Sequence, residues 1–257
     1  MTKRPLFLLG MQRSGTNFAL DIVSTIAGTK IFNEDNEAAF SRFLLKPDPI
    51  IHELMAANAD AVCVFKAVTD SLRFRALKTA FPDAGFIYIF RRPKEVIDSY
   101  AQEFSGQLHL LNHILSNDFL NNRLFDVTGI SYDLPRINQL LGEYLGRLSA
   151  SGDYSEKIAL YWIVFHLFLI DADVLSDKDS FVVSYDEARS DPAAFRKSIC
   201  VRFGLHADTE LTPPTVRRRQ NLFAERVPAE LMKKCEETYI ELERIRLSQY
   251  ALTTPSR

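Results

Sequence analysis

Four short runs of apolar residues lack the polar/apolar alternation of a strand with one solvated face. The four runs are Leu6–Leu9, Ala61–Phe65, Phe86–Phe90 and Phe181–Ser184. Strands that are apolar on both faces are typical of a parallel sheet covered by helices on each side. Helical spacing is found between and beside them, in Thr16–Ala27, Ser71–Ala80 and Pro93–Glu103. The alternation predicts an α/β fold of three layers, with a central parallel sheet of about four to five strands.

The middle of the chain shows no strand signal between Phe104 and Asp177. Pro135–Leu148 and Tyr154–Leu175 have helical spacing, as does Pro228–Leu247 near the C-terminus. We therefore predict a helical insertion over about residues 104–177, placed over the edge of the sheet where α/β proteins bind ligands. The length of 257 residues suits one such core, so residues 1–257 are predicted to form a single domain.

The net charge, the length of the apolar runs and the cysteine content bear on possible partners and on the cellular compartment. Lys and Arg number 31 against 33 Asp and Glu, so the balance does not indicate a nucleic-acid partner. No apolar run reaches the ~18 residues that a membrane span needs, and the run after Pro5 is too short for a signal peptide. Three scattered cysteines, Cys63, Cys200 and Cys235, fit a reducing compartment. We expect a cytoplasmic protein without a membrane span.

The first motif, Gly10–Asn17 (GMQRSGTN), lies between the first predicted strand and the first predicted helix. Glycines let such a loop curl with its N–H groups inward, and the following helix presents its positive end to the same place. A Walker loop has Lys and then Ser or Thr after the second glycine, where this chain has Thr16 and Asn17. The loop predicts an anion site that suits a nucleotide 5′-phosphate with a further small anionic group better than a magnesium nucleoside triphosphate. An ordinary glycine-rich turn is the alternative.

The second motif is a predicted strand that ends in Arg91, followed by Arg92 and Pro93. P-loop nucleotidases often place an Asp for magnesium at such a strand end, whereas a guanidinium suits a phosphate. Ser99 follows two helical turns later on the same side and can donate a hydroxyl. A solvated basic turn is the alternative for this motif.

Together the two motifs resemble the PAPS-dependent sulfotransferase family, in which PAPS is 3′-phosphoadenosine 5′-phosphosulfate. Arg13–Asn17 matches the family's first loop, in which Arg is common in bacterial members, and Arg91, Pro93 and Ser99 match its second motif. The resemblance implies that the loop binds the 5′-phosphosulfate and that Arg91 and Ser99 contact the 3′-phosphate. The loop residues implied are Gly10, Gln12, Arg13, Ser14, Gly15, Thr16 and Asn17.

A third stretch, Val183–Glu187 with Asp191-Pro192 and Phe203–Leu205 after it, is similar to the family's strand-Tyr-Glu-Asp segment. The resemblance implies that Tyr185 and Phe18 lie near the adenine, and core packing is the alternative for both rings. It also suggests that Arg217, Arg218 and Arg219 cap the 3′-phosphate, with a solvated loop as the alternative.

The chemistry needs fixed cations at the sulfuryl group and a base for the acceptor. Arg13 and Lys66 are the candidate cations, the latter because relatives carry a Lys at this strand end. Val68 stands where many cytosolic relatives have a catalytic His, whereas carbohydrate-acting relatives often use a Glu after the first helix. Glu37 is therefore the first candidate base and Glu34 the second, although either could be a charge at a helix start. Asp70 is a further candidate.

These residues predict a sulfotransferase that moves a sulfuryl group in line from PAPS to a hydroxyl or amine, on a carbohydrate or small-molecule acceptor. No residues have metal-ligand spacing, so we expect no catalytic metal. One alternative is a divergent P-loop nucleotide kinase or NTPase. The other is a non-catalytic module that binds PAPS or its product, adenosine 3′,5′-bisphosphate.

Overall fold

A computed structural model describes residues 4–104, 135–151, 153–206, 211 and 222–253 of the chain. Its strands are β1 Leu6–Leu9, β2 Thr29–Phe32, β3 Phe40–Ser41, β4 Leu44–Leu45, β5 Val62–Lys66, β6 Gly85–Phe90 and β7 Ser180–Ser184. Five of them form a parallel sheet in the order β2-β5-β1-β6-β7, while β3 and β4 form a separate antiparallel hairpin. The predicted α/β fold with a central parallel sheet is confirmed, at five strands.

Helices cover both faces of this sheet. They are α1 Thr16–Ser24, α2 Asp48–Ala57, α3 Phe74–Ala80, α4 Pro93–Glu103, α5 Pro135–Ser151, α6 Tyr154–Asp171, α7 Tyr185–Ser190, α8 Pro192–Phe203 and α9 Ala229–Thr253. Leu6 and Leu8 pack on one face with α1 and α8, while Phe7 and Leu9 pack on the other with α4, α6 and α9. This alternation explains why β1 had to be apolar on both sides.

Strand β2, the β3–β4 hairpin and helices α2, α7 and α8 were not predicted from the sequence. Strand β2 lies at the edge of the sheet, with Thr29 half-buried and Lys30 exposed, so it lacks the apolar signal of the central strands. Helix α2 begins at Asp48, next to a proline, and buries only Ile51 and Met55. Elements that bury little surface leave a weak pattern in the sequence.

Several predicted bounds need correction. Thr16–Ala27 ends at Ser24, where the Ser24 and Thr25 hydroxyls bond back to carbonyls of the preceding turn. Ser71–Ala80 divides into a 3₁₀ turn and α3, and Tyr154–Leu175 ends at Asp171. The last helix begins one residue later than predicted and continues to Thr253.

The single-domain organisation and the helical insertion over residues 104–177 stay predictions. Helices α5 and α6 are the described helices of that stretch, and residues 105–134 lie outside the described residues. Within the described part of the chain, no helix combines the length and apolarity that a membrane crossing requires.

Helix α6 is buried on nearly all sides and carries His166 into the core. His166 Nδ1 lies 2.6 Å from the Trp162 carbonyl oxygen and donates to it, and Nε2 has no hydrogen-bond partner in the described part of the chain. Its ring packs against Trp162 and edge-on against Tyr88. Burial lowers the pKa of His166 from 6.5 to about 4, which the hydrogen bond to Trp162 partly opposes. His166 is therefore a core residue.

This buried imidazole predicts a loss of stability in mild acid. The unfolded chain protonates His166 near pH 6.5, whereas the folded chain resists protonation down to about pH 4. The free energy of unfolding should therefore fall as the pH decreases through this window, by up to about 1.4 kcal/mol per pH unit from this group. Urea unfolding at pH 7 and pH 5 measures the difference, and His166→Phe should reduce it. An identical pH dependence in the variant would contradict the assignment.

Candidate active site

The loop between β1 and α1 is a tight turn held by its own residues. Gly10 has φ 152°, and a Cβ there would lie 2.5 Å from the Ile89 carbonyl oxygen. The Gly10 N–H donates to Ser71 Oγ at 3.0 Å. Ser14 is fully buried, and both its hydroxyl and its N–H donate to the Met11 carbonyl, at 2.6 and 3.1 Å. Gly10 and Ser14 therefore build the turn, and neither is among the described residues that line the adjacent cleft.

Gly15 has no space for a side chain. Its φ is 102°, and a Cβ would lie 2.2 Å from Cδ2 of Tyr185, the first residue after β7. Gly15 is also the N-cap of α1, so the first N–H groups of that helix lack intrahelical acceptors. Thr16 and Asn17, in its first turn, line the adjacent cleft. This helix start is the place where the sequence predicts an anion site, and anion binding there stays a prediction.

The cleft beside this loop has a volume of about 230 Å³. It lies at the C-terminal edge of the sheet, and segments that follow each of the five parallel strands contribute to it. The described residues that line it are Gln12, Arg13, Gly15, Thr16, Asn17, Phe18, Glu34, Lys66, Val68, Arg91, Ser99, Phe104 and Tyr185. Residues from distant parts of the chain thus meet in one site, as expected for parallel strands.

Two arginines share this cleft. Arg91 Nη1 lies 3.5 Å from the Arg13 carbonyl oxygen, and the Arg91 guanidinium lies over the Tyr185 ring at 4.4 Å. Arg91 Nε donates to Glu95 Oε2 at 2.6 Å. Arg13 Nε donates to Ser99 Oγ at 3.0 Å, which connects the two predicted motifs directly. The guanidinium groups from neighbouring strands can therefore contact one ligand.

An ion pair forms another part of the wall. Lys66 Nζ at the end of β5 lies 2.8 Å from Oε2 of Glu34, which follows β2. Their side chains are only 9% and 15% exposed, so this pair is shielded far better than a surface salt bridge. Val68, two residues beyond Lys66, adds an apolar contact surface. A buried cation and a carboxylate thus lie side by side at the cleft.

The candidate acids differ in position. Glu37 is exposed and does not line the cleft, because the turn that follows Asn33 directs it outward; its backbone carbonyl accepts from Lys46 Nζ. The structure therefore favours Glu34 over Glu37, against the order that the sequence suggested. Asp70 is fully buried, accepts from the Leu45 N–H at 2.9 Å and pairs with Arg73.

Burial raises the pKa of the Asp70 carboxyl, and the contacts with Leu45 and Arg73 oppose this shift. Asp70 connects the β3–β4 hairpin to the chain after β5, outside the set of described cleft residues. It is therefore a structural group and not a candidate base.

Two aromatic rings complete the wall beside the loop. Phe18 and Tyr185 lie edge to face, with centroids 5.5 Å apart at 79°. Both are mostly buried, and both line the cleft. Core packing of both rings is thus observed, and their contact with an adenine stays a prediction.

Other predicted groups cannot be placed. Arg217, Arg218 and Arg219 lie outside the described residues, so their role stays a prediction. Sequence reasoning also missed some groups: Phe104 lines the cleft, and Tyr161 of α6 donates to Gln12 Oε1 at 3.2 Å. No motif marks either residue, because their positions depend on how α4 and α6 pack.

Neither a search of protein-family models nor a search of curated proteins finds a match for this sequence. Solved structures do match. A sulfotransferase from Alicyclobacillus acidocaldarius has a TM-score of 0.53 at 16% identity, over 96% of each chain.

Two further sulfotransferases are more distant. Mouse SULT7A1, solved in complex with PAP, has a TM-score of 0.48 at 14% identity, over 98% of this chain and 89% of that one. STF1 of Mycobacterium tuberculosis H37Rv has 0.47 at 11%, over 96% and 76%. The fold of this chain is the sulfotransferase fold.

Proposed function

We propose that this protein is a sulfotransferase that moves a sulfuryl group from PAPS to a hydroxyl or amine. The observation that carries the proposal is the meeting of Arg13 and Arg91 in one cleft, with Lys66 and Glu34 beside them. A donor with a phosphosulfate at one end and a phosphate at the other needs cations for both. The sulfotransferase fold supports the same chemistry.

The cleft suits this donor better than a magnesium nucleoside triphosphate. Thr16 and Asn17 stand where a Walker loop has its Lys and its magnesium-binding hydroxyl, and Arg91 stands where an acid would hold the metal. These substitutions replace a magnesium site with guanidinium groups. The missing magnesium ligands and the missing Walker Lys argue against a divergent kinase or NTPase.

The geometry of the cleft and the motif resemblance together assign its residues to the individual groups of PAPS. The N–H groups at the start of α1 and Arg13 hold the 5′-phosphosulfate. Arg91 and Ser99 hold the 3′-phosphate, and Phe18 with Tyr185 forms the surface for the adenine.

The chain's own residues then have defined tasks. PAPS supplies an activated sulfuryl group; a bond forms between the acceptor oxygen and sulfur, while the bond from sulfur to the phosphate oxygen breaks. Arg13 and Lys66 stabilise the negative charge that shifts to the leaving phosphate. Glu34 takes the proton of the acceptor hydroxyl. The products are a sulfated acceptor and adenosine 3′,5′-bisphosphate.

We further propose a carbohydrate or small-molecule acceptor, since a carboxylate occupies the cleft and Val68 replaces the histidine of many cytosolic relatives. Val68 and Phe104 give the cleft an apolar surface that suits a sugar ring or a small aromatic acceptor.

Ligand-induced stabilisation tests the donor assignment. Adenosine 3′,5′-bisphosphate without magnesium, at one hundred times its dissociation constant, should stabilise the protein by about 2.7 kcal/mol and raise Tm by roughly 5 °C or more. Magnesium ATP should shift Tm by less than about 1 °C, because the metal site is lacking. Differential scanning fluorimetry measures both. An equal shift with magnesium ATP would support a nucleoside triphosphate enzyme, and bisphosphate binding without turnover on any acceptor would support a binding module.

A further inference from the structure

One face of α4, which contributes Ser99 to the cleft, carries three polar side chains. Glu95, Ser99 and Glu103 are spaced four residues apart, so they lie in a row on the same side of the helix. Glu95 pairs with Arg91 at 2.6 Å, and Ser99 accepts from Arg13 at 3.0 Å. Glu103 Oε2 lies 3.3 Å from Arg13 Nη2. This row therefore supplies a carboxylate to each of the two arginines.

Each cation among the described residues that line the cleft is therefore paired with a carboxylate. The cations are Arg13, Lys66 and Arg91. Their partners, in the same order, are Glu103, Glu34 and Glu95. Glu34 lines the cleft, whereas Glu95 and Glu103 contact the arginines from outside its described lining. An anionic ligand at the arginines competes with these carboxylates.

Glu103 differs from Glu95 in its place on the helix. Glu95 lies in the first turn of α4, where a negative charge is favourable, and it is four residues from Arg91. Glu103 is the last residue of α4, where the helix dipole disfavours a negative charge. Local helix energetics therefore explain Glu95 but not Glu103. The side chain of Glu103 is 46% exposed, whereas that of Arg13 is only 25% exposed.

We propose that Glu103 is an exchangeable counter-ion: it holds Arg13 in the unliganded cleft and yields it to the anionic group of the ligand. The identity of that ligand rests on the proposed function. Competition by Glu103 weakens the binding of donor and product alike and speeds the release of the product. Glu103 is thus a positioning residue that sets affinity without contacting the reacting atoms.

Isothermal titration calorimetry of Glu103→Gln tests this inference. The affinity for adenosine 3′,5′-bisphosphate should rise roughly threefold, the size that an exposed ion pair supports, and the dissociation rate should fall by a similar factor. Glu237→Gln is the matched control, because Glu237 is exposed on α9 and pairs with Lys233 away from the cleft. That variant has the same change in net charge and should leave the affinity unchanged.

A double-mutant cycle with Arg13→Ala separates the pair from a general field effect. In the Arg13→Ala background the gain from Glu103→Gln should disappear. If Glu103→Gln still raises the affinity in the Arg13→Ala background, or does not raise it in the wild-type protein, the inference is overturned. The proposed function is unaffected by that result as long as the bisphosphate binds.

Inorganic pyrophosphate serves as a second probe. If the bisphosphate does not bind but pyrophosphate binds Glu103→Gln more tightly than wild type, the counter-ion inference holds and the proposed donor is wrong. If Glu103→Gln tightens neither ligand, the inference is overturned.

Discussion

Replacing Arg91 with alanine is expected to weaken the binding of adenosine 3′,5′-bisphosphate about 30-fold, and that of adenosine 5′-phosphate less than about threefold. The reason is the proposed contact between Arg91 and the 3′-phosphate, which only the first ligand carries. The guanidinium lies at the cleft with its side chain only 16% exposed, so its hydrogen bonds to an anion are partly shielded from water. Calorimetric titration of both ligands measures the ratio.

Arg92 offers the matched control for this variant. It is the adjacent residue, but its side chain is 57% exposed, pairs with Asp186 and does not line the cleft. Arg92→Ala should leave both affinities within about twofold of wild type, since exposed pairs contribute little. Because Arg91 also contacts Tyr185 and the Arg13 carbonyl, thermal unfolding should be recorded for each variant. Equal losses for the two ligands would remove Arg91 from the 3′-phosphate.

The second large effect is expected at Glu34. Glu34→Gln should lower kcat by roughly 100- to 1000-fold, the range for loss of a general base, with little change in bisphosphate affinity. The amide keeps the size of the side chain but cannot take the acceptor's proton. Turnover can be measured on any acceptor that supports activity, or as hydrolysis of PAPS by water. The matched control is Glu37→Gln, an acid three residues away that is exposed and outside the cleft.

The partner of Glu34 requires a second variant. Glu34→Gln leaves the buried Lys66 without its carboxylate, which is itself destabilising. Glu34→Gln combined with Lys66→Met removes both charges and should restore thermal stability. Because Lys66 has its own catalytic task, the reference for activity is Lys66→Met alone, and the double variant should be less active than that reference. Activity equal to that reference along with recovered stability would show that Glu34 acts only through folding. Full activity of Glu34→Gln, or an equal loss in Glu37→Gln, would contradict its role as the base.

The core of the fold follows from the sequence because burial on both faces leaves a clear pattern. Strands β1, β6 and β7 could be placed within one residue of their observed bounds for this reason, and β5 with a shift of one residue. The edge strand β2 escaped detection because it needs apolar residues on fewer sides. Sheet order itself depends on which helices cover each face, and no local pattern encodes that.

Some features of the candidate site can likewise be predicted from the sequence, and others cannot. The sequence alone predicts that three residues lie in one site, because parallel strands end at one edge of the sheet: Arg13, Lys66 and Arg91. The preference between Glu34 and Glu37 could not be predicted, since it depends on the direction in which a short turn leaves β2. Ser14 shows a similar limit: a motif identifies the residue, but only the backbone angles decide whether its hydroxyl faces the ligand or the Met11 carbonyl.

The contact between Gly15 and Tyr185 has a consequence for protein engineering. The Tyr185 ring occupies the space that a side chain at Gly15 would need, so the loop after β1 and the segment after β7 fit closely against each other. Grafting the eight residues GMQRSGTN onto another scaffold would transfer the backbone curl but leave it open on one side. A transplant that works has to bring a flat aromatic group from the far end of the donor chain as well.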